Sequence, residues 1–138
     1  MYSVIANGRT SIYRASLGAS ALPVLLAGDA SENYAPTWSP DGQSIAFQST
    51  LGSPLSDLWL MDRVGGSLRR VLYTDNDYWS RAPSFSPDGQ WLAFVSNQAG
   101  SYGADYGEIF VVSLATGEAI QISHTGGLVY DWRVDWGP

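Results

Sequence analysis

The sequence has no cysteine, which excludes a disulfide framework and all thiol chemistry. It has no lysine either; its seven basic residues are all arginine. Set against thirteen acids, they leave a net charge of −6. An acidic chain without a basic cluster argues against binding a nucleic-acid backbone. His124 is the single histidine, so no histidine cluster is available to a transition metal. Neither a glycine-rich phosphate loop nor a Gly-x-Ser-x-Gly nucleophile motif occurs. No metal or cofactor is expected. Long apolar runs are also missing. The longest, Ala21 to Ala27, contains Pro23 and falls far short of the roughly 20 residues of a membrane span. No membrane partner is expected. Met1-Tyr2-Ser3-Val4 has neither a basic nor an apolar leader region, so no signal peptide is expected.

What the chain does have is a repeated phrase. Ala35-Pro36-Thr37-Trp38-Ser39-Pro40-Asp41-Gly42-Gln43 returns as Ala82-Pro83-Ser84-Phe85-Ser86-Pro87-Asp88-Gly89-Gln90. An echo, Arg133-Val134-Asp135-Trp136-Gly137-Pro138, follows. The aromatic positions are 38, 85 and 136, a period of roughly 50 residues, which signals a repeat architecture. Ser-Pro-Asp-Gly is a turn: proline presets φ, aspartate bonds its own backbone and glycine accepts positive φ. Apolar stretches follow, Ser44 to Ser49 and Trp91 to Ser96, so each phrase predicts a hairpin. Asp57 to Asp62 then matches Glu108 to Ser113. After glycine turns at 65–66 and 117, Leu68 to Tyr73 and Ala119 to Ser123 close the unit. Four short strands at this period predict one blade of a β-propeller.

Residues 1–27 enter the repeat at its second strand. Tyr2 to Asn7 aligns with Leu92 to Asn97, and Ser11 to Arg14 with Glu108 to Val111. The missing first strand matches Tyr130 to Trp136. The expected organisation is a single all-β unit, 1–138, of three four-stranded antiparallel blades: 34–74, 81–123, and a composite of 129–138 with 1–27. Three blades leave two apolar sheet faces open, which soluble monomers rarely tolerate. A two-fold homodimer would close a six-bladed ring by strand exchange between termini. The expected seam residues are Tyr2, Val4, Ile5, Arg133, Val134 and Trp136.

The phrase Ala-Pro-x-Trp/Phe-Ser-Pro-Asp-Gly-Gln, with the Ala-Phe that follows at 46–47 and 93–94, resembles the TolB-type (PD40) propeller repeat, over nearly the whole chain. The third repeat departs from it, with Val134 for proline and Gly137 for serine. Similar repeats occur in periplasmic TolB proteins and in propeller domains of prolyl-oligopeptidase-like peptidases. The resemblance therefore implies a fold, and allows a periplasmic or secreted location. The separate N-terminal domain of TolB and the hydrolase domain of the peptidases have no counterpart here, so neither activity transfers.

In a propeller the Ser-Pro-Asp-Gly turns share one face. The opposite face gathers longer polar and aromatic loops, where binding residues concentrate. The candidates for ligand binding there are Asp75, Asp77, Tyr78, Trp79, Arg81, Tyr102, Tyr106 and Tyr130. Asp75 and Asp77 lack the full spacing of a calcium loop. The leading expectation is a non-catalytic module binding a protein or small molecule at this face, with a second copy of itself as partner. The alternatives are a hydrolase or lyase at the channel mouth using His124 and acids, and a propeller fragment whose only property is assembly.

Overall fold

The computed structural model describes residues 2–6, 9–16, 22–28, 31–72, 78–98, 106–125 and 134–137. Every regular element among them is a strand. In chain order these are β1 (Tyr2–Ala6), β2 (Arg9–Arg14), β3 (Val24–Ala27), β4 (Asn33–Trp38), β5 (Ser44–Ser49) and β6 (Asp57–Asp62). They continue with β7 (Arg69–Arg70), β8 (Ser80–Phe85), β9 (Trp91–Ser96), β10 (Glu108–Ser113) and β11 (Ala119–Gln121). Three antiparallel meanders result: β1-β2-β3, β4-β5-β6-β7 and β8-β9-β10-β11. The last two have four strands, as the repeat predicts.

The turns that define the repeat are built alike. Ser39 Oγ donates to Asp41 Oδ1 at 2.6 Å, which also accepts the Gln43 N–H at 3.0 Å. Ser86 Oγ and the Gln90 N–H bind Asp88 Oδ1 at the same two distances. Gly42 and Gly89 sit at φ of 67° and 71°, the left-handed region that the turn requires. These bonds hold both carboxyls below their ordinary value of 3.8, the serine hydroxyl contributing most and the backbone N–H next. Asp62 is lowered in the same way by the N–H groups of Gly66 and Val64. A carboxyl with a depressed folded pKa stabilises the fold above its ordinary value, and that stabilisation is lost as pH falls through the folded value. Acid titration should therefore destabilise the chain progressively below about pH 4. Asp41→Asn with Asp88→Asn should flatten the slope of stability against pH in urea melts; an unchanged slope would contradict the assignment.

β5 is buried on successive residues, Ile45, Ala46 and Phe47, rather than alternately. Its sheet is covered on both faces, which erases the two-residue period. On one face Ile45, Phe47 and Met61 pack with Ile12 of β2. On the other, Ala46, Leu58 and Leu60 pack with Phe85, Leu92, Phe94, Phe110 and Val112 of the third sheet. The sheets therefore stack as consecutive blades do. They approach closely enough that a Cβ on Gly65 would stand 2.9 Å from the Leu26 carbonyl oxygen.

The structure differs from the sequence alignment in two places. The pairs Ala6↔Arg9, Ser49↔Asp57 and Ser96↔Glu108 show that Arg9, not Ser11, occupies the Glu108 position. The first hairpin is tighter than the others, which shifts β2 by two residues. Secondly, both inner strands carry a bulge: register slips between Tyr34 and Thr37, and between Arg81 and Ser84. Ala35 and Ala82 adopt φ of 47° and 51° there, each just before a proline that cannot donate to the ladder.

Candidate functional site

The two bulges line an axial cavity of about 360 Å3. Its wall is made of residues 35–37, 82–84 and 134–135, one segment from each repeat of the phrase. The third segment is docked onto β8. The Trp136 indole donates from Nε1 to the Ser84 carbonyl at 2.9 Å, and Ser84 Oγ donates to Asp135 Oδ1 at 3.1 Å. The echo thus stands beside the first strand of the third sheet.

A larger groove of about 510 Å3 opens on the loop-rich face, between the second and third sheets. Glu32, Tyr34, Gln48 and Thr50 supply one side, the turn 54–56 an apolar shoulder, and Arg81 the other side. Bonds among these groups set the shape. Glu32 and Thr50 are joined by Glu32 N–H to Thr50 Oγ1 at 3.0 Å and Thr50 N–H to the Glu32 carbonyl at 3.1 Å. The Tyr34 hydroxyl donates to Glu32 Oε2 at 2.9 Å. Gln48 crosses between sheets: its Oε1 accepts the Ala82 N–H, freed by the bulge, at 3.0 Å. Arg81 lies over the Trp79 ring, its guanidinium carbon 4.3 Å from the ring centroid.

Of the eight ligand-binding candidates, the structure brings Trp79 and Arg81 together. Trp79 is only 5% exposed, so it meets the groove through the arginine stacked upon it. Its backbone is pinned by Asn97 Oδ1 and Ser96 Oγ at 2.8 Å each. Gly107, beside Tyr106, packs so tightly that an added Cβ would lie 2.7 Å from the Trp79 ring. Tyr106 is half-buried, and Tyr78 is exposed. Asp75, Asp77, Tyr102 and Tyr130 lie outside the described residues, as does the seam residue Arg133. Val134 and Trp136 are half-buried; for Tyr2, Val4 and Ile5 only the backbone of β1 is described.

Sequence reasoning missed Glu32, Tyr34 and Gln48. Gln48 carried a signal: it is a polar residue in an inner apolar strand, where β9 has Val95. His124, the single histidine, is exposed in the stretch after β11.

The same buried position at the loop-rich end carries an acid in both full blades. Asp57 is paired with Arg70 at 3.5 Å, and Glu108 accepts the Thr125 N–H and Oγ1 at 2.8 and 2.9 Å, together with the Ser123 hydroxyl. These buried carboxylates tie the ends of the strands to the loops that shape the face.

The profile of the TolB beta propeller domain family (PD40) matches residues 1–135. No curated protein matches the chain. Among solved structures it is similar to TolB from Acinetobacter baumannii, with 23% identity and a TM-score of 0.71 over 91% of this chain and 29% of that one. It is also similar to a protein assigned as TolB from Agrobacterium tumefaciens, with 24% identity and a TM-score of 0.72 over 86% of this chain and 43% of that one. The tricorn protease matches with 19% identity and a TM-score of 0.61 over 84% of this chain and 10% of that one. The chain thus spans less than half the length of each, and the likeness is one of fold. On the match to residues 1–135, the chain belongs to the TolB beta propeller domain family.

Proposed function

We propose that this chain is a non-catalytic binding and scaffold module, which closes a six-bladed ring with a second copy and binds its partners on the loop-rich face. One observation carries the assembly: the two ends of the stack are complementary. β5 and β9 each pair on both sides, whereas β1 pairs with β2 alone among the described strands. At the other end the segment 134–137 is already seated against β8, with no strands of its own blade beside it among the described residues. An unpaired strand edge is a template for another strand. A two-fold arrangement would lay 134–137 of each copy on β1 of the other, an isologous exchange.

Support for binding over catalysis comes from the groove, where Glu32, Tyr34 and Thr50 hold one another, Gln48 holds the Ala82 N–H and Arg81 rests on Trp79. A hydrolase or lyase reading would rest on His124, which is exposed and does not line either the axial cavity or the groove. The shared fold does not choose between them, because TolB proteins and a protease are both similar to this chain.

Light scattering on a sizing column tests the assembly. A mass twice the 14.9 kDa of one chain is the expected result. Deleting residues 130–138, or Trp136→Ala, should then shift the mass toward the monomer. A well-folded monomer would overturn the ring. Polydisperse aggregates would point instead to a piece of a longer propeller.

A further inference from the structure

We infer that the cleft between the first and second sheets holds a neutral single-chain amphiphile, an alkyl chain ending in a hydroxyl group. The site is separate from the loop-rich groove and goes beyond the binding reading above. The cleft encloses about 460 Å3, within the roughly 300–1,000 Å3 of small-molecule sites. Leu25, Leu26 and Ala27 of β3 form one wall. The other wall belongs to the second sheet, where Phe47 and Met61 are almost fully buried and Leu51 and Leu68 flank them. Leu25 and Leu68 are half-exposed and form the mouth. None of the described lining residues is charged. Asp57 and Arg70 face each other and do not line the cleft.

One polar side chain lines the cleft from deep inside: Asn33 is only 2% exposed. Its Nδ2 donates to the Thr10 carbonyl at 3.4 Å and to the Ser31 carbonyl at 3.2 Å. Both amide hydrogens are thereby spent, and the amide can be turned only one way. The Oδ1 accepts from no donor among the described residues and is not sealed off, so it is the acceptor that Asn33 offers the cleft. A hydroxyl group satisfies it. A carboxylate would set a negative oxygen against it, and an ammonium would leave water for walls without an anion, both at a high desolvation cost. Asn33 pairs with Ser49 and Met61 with Ile45, four residues along β5, or about 13 Å at roughly 3.3 Å per residue. An extended alcohol of about eight carbons nearly covers that span.

The test is calorimetric titration of the whole chain with octanol, with its isomer methyl heptyl ether and with octanoate. Octanol should bind saturably. The ether lacks only the donor and should bind about tenfold more weakly. Octanoate should not bind measurably. Shortening the ligand to heptanol should weaken binding about fourfold, as losing one buried CH2 does. The hydrogen bond is removed from the ligand's side because Asn33 also holds the Thr10 and Ser31 carbonyls. Leu25→Ser and Leu68→Ser locate the site. At the half-exposed mouth neither should move the thermal melt appreciably, and each should weaken octanol by at least about threefold. Equal binding of octanol and the ether would overturn the inference, as would octanoate binding as tightly as octanol. Octanol binding that both serine variants leave unchanged would lie elsewhere and overturn the assignment of this cleft. Absence of octanol binding up to its solubility would overturn it too.

Discussion

Phe94→Ala is expected to lower the unfolding free energy by about 3–5 kcal/mol. Phe94 is fully buried in the layer between the second and third sheets. It stacks on Phe110 with ring centroids 5.7 Å apart and an interplanar angle of 24°. Removing the ring loses its transfer free energy and leaves a cavity that strands on both sides cannot collapse to fill. Domains of this size are stable by on the order of 5–15 kcal/mol, so the loss is a large share of the total. Urea melts of Phe94→Ala, Phe110→Ala and the double variant should show coupling of about 0.5–1.5 kcal/mol between the rings. A loss below about 1 kcal/mol would mean that the two sheets do not pack as described. The groove proposed to bind partners is formed between these same two sheets.

Arg70→Met should cost about 3–5 kcal/mol, as breaking a buried ion pair does. The Asp57 side chain is 1% exposed, and Arg70 Nη1 lies 3.5 Å from its Oδ2. The same guanidinium donates to the Leu51 carbonyl at 3.2 Å and lies 5.3 Å from the Trp59 ring centroid. Deleting the cation leaves a carboxylate in a site with almost no access to water. The double variant Asp57→Leu with Arg70→Met should recover most of the loss, because an apolar pair carries no uncompensated charge. Thermal melts of the two single variants and the double variant measure the coupling. A double variant as unstable as the sum of the singles would show that the pair is not the unit. Glu108, the equivalent acid in the third sheet, accepts from the Ser123 and Thr125 hydroxyls and the Thr125 N–H.

The repeated turn is legible in the residues alone, since Ser-Pro-Asp-Gly states its own hydrogen bonds and its own left-handed glycine. The strands follow from it, and so does the blade, because local chemistry repeated at a fixed period leaves few ways to stack. Arg81 is legible as an arginine among aromatics. Its platform differs from expectation only in orientation: Trp79 looks like an exposed contact in sequence and lies buried beneath the guanidinium. The Asp57–Arg70 pair is not legible, because its partners come from different strands and no repeat carries it twice.

By itself, then, the sequence determined the all-β class, the turns, the repeat and the absence of cysteine and lysine chemistry. These depend on residue type and short-range spacing. Tertiary structure alone decided three further matters. It put a bulge before Pro36 and Pro83, it set Gln48 across two sheets to take up the N–H that one bulge frees, and it opened the groove between Glu32 and Arg81. Each depends on how neighbouring sheets meet, and residues distant in sequence settle that only when the sheets pack.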